Sequence, residues 1–177
     1  AVVPSANAAT RATVYEQPLN ERMRTFLRLD YLYNQALYHN EKASQWGSRA
    51  AVASLIDILA ITTRTDVRSD VLKEIERHLN QLQEFETKPG VDTARLRTLT
   101  NNLARLRTAL AAAGAAYLQP LRDSEFLAAI KHRSAIPGGA CDFDLPEYTH
   151  GLRRPYAYRS ADVERWMKTI KPLCDSI

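Results

Sequence analysis

An all-α fold is what this sequence predicts, and three features carry the prediction. Apolar residues recur at steps of three and four along most of the chain. Residues that cap helices, Asn20 and Asp92 among them, stand just before such runs. Strand-like alternation is nearly absent, with "ATVYEQ" near the start as the exception. The 177 residues suit one domain with a core that needs no staples. Hydrophobic content of 45% and charged content of 25% are ordinary for a soluble globular protein. No apolar run approaches the roughly eighteen residues that span a bilayer, so no membrane partner is expected.

Residues 1–13 read as a flexible N-terminal arm. They lack a basic n-region followed by a long apolar stretch, so they do not read as a secretory signal. The first helix follows in "PLNERMRTFLRLDYLYNQALYHN", with Leu19 and Asn20 as hydrophobic staple and N-cap. Met23, Phe26, Leu27 and Leu37 mark its apolar face, and Arg22, Arg24 and Arg28 give it a basic edge. Gly47 and Ser48 punctuate the chain before "AAVASLIDILAI", apolar on most sides and therefore central to the core.

A third helix begins after Thr65 or Ser69 and places Val71, Leu72, Ile75, Leu79, Leu82 and Phe85 on one face. Pro89 and Gly90 form a turn, and Asp92 caps the next helix. There Leu96, Leu99, Leu103, Leu106 and Leu110 form a heptad-type seam opposite Arg95, Arg97, Arg105 and Arg107, until Gly114 ends it. Two helices joined by so short a turn predict an antiparallel hairpin. A further helix covers "SEFLAAIKHR", and Ser160 is expected to cap a last one through Val163, Trp166, Met167 and Ile170.

The least helical stretch is "AIPGGACDFDLPEY". A phosphate loop would need its glycines between a strand and a helix; these follow a helix and lack the Gly-Lys-Ser/Thr ending. A nucleophilic Cys141 would need an electropositive setting, yet Asp142 and Asp144 stand beside it. His39, His78, His132 and His150 show no metal-ligand spacing. The stretch reads as a structural corner, with Phe143 and Leu145 tucked against the core and the two aspartates anchoring the loop. No cofactor, no metal and no enzymatic activity are expected. Cys141 and Cys174 read as free thiols of a reducing cytosol.

Net charge of +4 and a pI of about 9.2 favour acidic partners. Arginines of the first helix, with Arg64, Arg68, Arg122, Lys131, Arg133, Arg153 and Arg154, exceed what solubility requires. A helical nucleic-acid-binding module with a basic face is one alternative. Against it, Tyr31, Trp166 and most other aromatics sit at core spacing, and acids are mixed among the bases, so no nucleic acid is expected.

"VYEQPLNERMRTFLRLDYL", "KPGVD", and "AIPGGACDFDLP" followed by "VERWMKTIKPL" resemble the ZapD family of cell-division proteins, in the right order from about Val14 onward. The resemblance implies a cytoplasmic, non-enzymatic factor recruited to the mid-cell division site. Such proteins form homodimers, bind the C-terminal tail of the tubulin-like protein FtsZ and bundle its filaments. The family pairs a helical domain with a C-terminal β-strand domain, and its pattern continues where this chain stops at "KPLCDSI". The expectation is therefore a multi-helix, bundle-like domain over residues 14–177, lacking most of the β-strand domain and carrying dimerisation and part of the FtsZ surface. The expected partner-binding residues are Arg24, Arg28, Arg64, Arg68, Arg122, Lys131 and Arg133.

Overall fold

A computed structural model describes residues 14–177 of the protein. Its elements are α1 (Glu21–Asn40), α2 (Gln45–Arg64), α3 (Val67–Phe85), α4 (Thr93–Ala112), α5 (Gln119–Arg122), α6 (Glu125–Ser134), α7 (Pro146–Arg153) and α8 (Tyr156–Cys174). The described residues contain no strand, so the predicted all-α class holds. The arm at residues 1–13 lies outside the described residues.

Helices α1 to α4 and α6 start where short polar side chains replace the missing backbone acceptors. Asn20 Oδ1 accepts from Met23 N–H at 2.8 Å, Ser44 Oγ from Gly47 at 2.9 Å and Asp92 Oδ1 from Ala94 and Arg95 at 3.0 Å. Gly47 has a further reason. A Cβ there would sit 2.9 Å from the His39 carbonyl oxygen and from Lys42 Cβ, so only glycine lets α2 begin against the end of α1.

Helix α2 is the centre. Ala51, Val52, Leu55, Ile56, Ile58 and Leu59 are buried on one broad face, while Trp46, Ala53, Asp57 and Arg64 line the exposed side. Helix α1 lies antiparallel along it: Gln35 accepts from Ser54 Oγ at 3.1 Å, while Arg24 and Arg28 face Asp57 and Arg64. Helix α8 crosses α1 and α2, burying Val163, Met167, Ile170 and Leu173. Its first turns are fixed by polar bonds: Tyr156 O–H donates to the Asn40 carbonyl at 2.7 Å, and Asn40 Nδ2 donates to Ser160 Oγ at 3.2 Å.

Helices α3 and α4 form the predicted antiparallel hairpin. Arg68 at the start of α3 donates to the carbonyls of Leu110 and Ala111 at the end of α4, and Arg107 meets Glu76 at 2.9 Å. The hairpin is tied to α1 by Arg22, which reaches Glu74 at 3.2 Å and Asp70 at 3.9 Å. Hydrogen bonds from the Arg77 guanidinium hold the Glu74 carboxyl below its usual range.

Several expectations fail in detail. Leu19 is 91% exposed and makes no staple, and Leu37 also faces outward. Helix α3 begins at Val67, after Thr65 as one of the two expected starts, and is capped by Asp66, whose Oδ1 accepts from Ser69 N–H at 3.1 Å. Hydrogen bonds from the Ser69 side chain and backbone also lower the Asp66 pKa. Only part of the leucine seam is covered: Leu96 and Leu110 are buried, Leu103 and Leu106 half-buried, and Leu99 exposed, as is Phe85. Leu110 belongs to the main core cluster, whereas Leu96 is buried outside it. Ser160 does not cap α8, which begins at Tyr156 after Pro155; it lies buried within the helix, and its Oγ donates to Glu164 at 2.9 Å.

The loop between α6 and α7 is a corner, as expected, with Gly138 at φ +74. Its anchors differ from those predicted. Leu145 is buried, but Phe143 is 85% exposed. Asp142 and Asp144 answer arginines instead of backbone amides: Arg49 and Arg153 each lie 3.6 Å from Asp142, and Arg133 lies 3.9 Å from Asp144. Arg49 also donates to the Ala140 carbonyl at 2.8 Å.

The uneven cover of the seam has a direct test. Leu110→Ala should cost about 2–5 kcal/mol through lost burial and a residual cavity. Leu99→Ala, at a surface position, should cost no more than about 0.5 kcal/mol. Urea denaturation midpoints measure both.

Candidate functional site

Arg24 and Arg28 are one helical turn apart on α1, on the side opposite buried Phe26 and Leu29. Arg64 is the last residue of α2. Because the two helices run antiparallel, this end of α2 lies beside the start of α1. The three arginines therefore edge a single groove of about 760 Å³. Leu27, Leu32 and Ile61 supply apolar lining, while Tyr31, Asp57 and Glu16 complete the edges. Three arginines against two acids leave one positive charge in excess. Arg24 is paired with Glu21 at 3.2 Å, whereas Arg28 and Arg64 have no carboxylate within 4.0 Å among the described residues.

A second hollow of about 290 Å³ adjoins the groove, shares Arg64 and Thr65 with it and adds Arg68 and Arg122. Five of the seven predicted residues thus gather at the carboxyl end of α2. Two of the five have structural duties. Arg68 donates through Nε and Nη2, each at 3.1 Å, to the last carbonyls of α4. Arg122 Nη2 donates to the Thr62 carbonyl at 3.2 Å, near the end of α2. Orphan carbonyls and the negative pole of a helix both favour a cation there. Tyr117, half-buried beside these residues, has its phenol pushed up to about 12 by burial.

Lys131 and Arg133 lie elsewhere, in the last turn of α6. Lys131 is exposed, and Arg133 faces Asp144 in the corner loop. The groove also contains residues that sequence reasoning did not select. Tyr31 read as a core aromatic but is 65% exposed at the groove's edge. Its place three residues after Arg28 was the available signal. Asp57 and Ile61, four residues apart on α2, share the opposite wall.

Other chemistry gains no support from the arrangement. Among the described residues no three His, Cys, Asp or Glu side chains converge in a way that could hold a metal ion. Cys141 Sγ donates to Asp144 Oδ2 at 3.6 Å. Burial, followed by the nearby Asp30 and Asp175 charges, pushes the Cys174 thiol up to about 12. No helix among the described residues is long and apolar enough to cross a membrane.

The sequence profile of ZapD, described as a cell division protein, matches residues 27–177. The chain belongs to the ZapD family. The match contains Arg28, Arg64, Arg68, Arg122, Lys131 and Arg133, while Arg24 lies just before it. The chain is similar to the Cell division protein ZapD of Bordetella petrii, at 38% identity over 164 residues, covering 93% of this chain and 65% of the relative. ZapD of Janthinobacterium sp. (strain Marseille) is 37% identical over 164 residues, with the same two coverages. ZapD of Klebsiella pneumoniae subsp. pneumoniae is also 37% identical over 164 residues, covering 93% of this chain and 66% of the relative. The chain thus spans about 65% of the length of the first two of these ZapD relatives.

The division of labour among the arginines predicts different costs. Arg68→Met should lower stability by about 1–3 kcal/mol, because the carbonyls at the end of α4 lose a charged donor. Arg28→Met and Arg64→Met should each change it by less than about 0.5 kcal/mol. Thermal and chemical unfolding compare the three. The raised Cys174 thiol predicts alkylation at least about tenfold slower than free cysteine at pH 8, with the difference lost on unfolding. Mass spectrometry of iodoacetamide-treated chain reads the site-specific rate.

Proposed function

We propose that this chain serves cell division by binding FtsZ through the C-terminal tail of that protein. As a homodimer it cross-links and bundles FtsZ filaments, promoting assembly of the division ring. Residues 14–177 act as a helical domain that supplies dimerisation and part of the FtsZ-binding surface. Its place of action is the cytoplasm, with recruitment to mid-cell. No catalytic step and no cofactor enter the mechanism. The supporting observation is the apolar-lined groove between α1 and α2, where Arg28 and Arg64 have no carboxylate within 4.0 Å among the described residues.

The mechanism rests on valence. One tail site per protomer gives a dimer two sites, enough to join two filaments. Many tails along each filament then raise the effective concentration, so individually weak contacts accumulate. The apolar lining supplies contact area, and the arginines attract an acidic partner and set its orientation. Arg68 and Arg122 hold the carboxyl ends of α4 and α2 in place, which positions Arg64 at the groove.

The pair that tests this reading is Arg28 and Arg64, since reversing Arg68 would damage the fold. A single exposed ion pair contributes only about 0–1 kcal/mol, so one reversal is expected to be nearly silent. Arg28→Glu combined with Arg64→Glu should reduce co-sedimentation with FtsZ filaments at least about threefold at low salt. The difference should shrink as salt rises, because screening weakens the wild type as well. Equal co-sedimentation of wild type and a folded double variant at low salt would contradict a tail site in this groove.

A further inference from the structure

At the opposite end of α2 from the groove, a hollow of about 520 Å³ opens among α2, α6, α7 and α8. Ser48 lines it, sixteen residues before Arg64, which is about 24 Å along the helix. Its inner wall is aromatic. Phe126 stacks on Trp166 with ring centroids 6.0 Å apart, and meets the edge of buried Tyr148 at 5.8 Å.

The rim is cationic. Arg154, Arg159 and Arg165 surround one carboxylate, Asp162, which Arg154 meets at 3.1 Å and Arg165 at 2.8 Å. Arg159 is committed to the fold through the Arg154 carbonyl at 3.0 Å, Ser48 Oγ at 2.7 Å and the Ser44 carbonyl at 3.1 Å. Arg154 and Arg165 each spend one donor on Asp162, and their other N–H groups have no protein acceptor among the described residues. Three guanidiniums against one carboxylate leave two positive charges above an apolar floor.

A concave, mostly apolar site of this size with a few fixed polar groups has the form that binds a ligand. Its volume exceeds that of any single side chain, so a ligand that fills it brings more than one group. A flat guanidinium fork matches a carboxylate, whereas Asp162 in the middle of the cluster opposes the higher charge of a phosphate. We propose that this hollow is a second binding site, for a short acidic peptide segment of a partner protein. An aromatic side chain of the segment packs on Phe126 and Trp166, and a flanking carboxylate lies on Arg154 and Arg165. The site is independent of the groove between α1 and α2.

The chain has two tryptophans, and Trp46 is 78% exposed, so Trp46→Phe leaves Trp166 as the sole indole reporter. Titration of that variant with acetyl-Asp-Phe-Asp-amide should give a saturable change in Trp166 emission. Affinity should fall at least about tenfold for acetyl-Asn-Phe-Asn-amide, for acetyl-Asp-Ala-Asp-amide, and for the added change Arg165→Glu. The Arg165 side chain is 68% exposed, with Asp162 as its one ion-pair partner among the described residues, so this variant should keep its unfolding midpoint. The peptide controls test the same claim on the unaltered site. No saturable change up to millimolar peptide, or equal affinity for the Asn-Phe-Asn peptide, would overturn the proposal. The chain's own exposed Phe143 lies between Asp142 and Asp144. Self-association abolished both by Phe143→Ala and by Arg165→Glu would overturn assignment to a partner protein in favour of a second copy.

Discussion

Helix α2 buries Ala51, Leu55 and Ile58 completely on one broad face, and its neighbours are arranged to cover that face. Fully burying one leucine or isoleucine contributes about 1.5–3 kcal/mol, and α2 presents several such groups along that face. That demand places α1 antiparallel on one side, brings α8 across both, and draws α6 and α7 against what remains. It also fixes where the helix ends emerge. The carboxyl end of α2 reaches the surface beside the start of α1, which is why arginines distant in sequence meet there. The amino end reaches the surface beside α8 and contributes Ser48 to the second hollow.

The basic residues divide into those that complete the backbone and those that remain available. A helix ends with carbonyls that lack partners, and a guanidinium can answer them from a neighbouring element. Arg68 does this for α4, Arg122 for α2, and Arg159 for the Ser44 carbonyl just before α2. The positive net charge therefore overstates the charge free to meet a partner. Arg28 and Arg64, without a carboxylate within reach among the described residues, are better placed for recognition than their structural neighbours.

Much of this fold was legible because its causes are local. Asn20 and Asp92 cap the helices they precede, and the apolar character of α2 marks it as central. The hairpin followed from two periodic segments separated by a short turn. What failed depends on tertiary cover. Leu99 and Leu110 are equivalent in the seam's spacing, yet only Leu110 lies where the base of the hairpin meets the core. Phe143 in an extended segment gave no sign of which side would face outward. The composition of the site was legible as an excess of arginine, but its division was not. Whether Arg64 or Arg68 meets a carbonyl depends on where α4 ends in space, and no spacing within the α2–α3 segment encodes that. Lys131 and Arg133 show the same gap, sharing the charge of the other five residues but not their location.

The most direct measurement of the central claim is a two-dimensional NMR titration of the isotopically labelled chain with a peptide of the FtsZ C-terminal tail. The largest shift changes should fall in residues 24–32 and 57–65, the two walls of the groove, and fade as salt is raised. Changes confined to α6, α7 or the far end of the hairpin, with both walls unaffected, would contradict it.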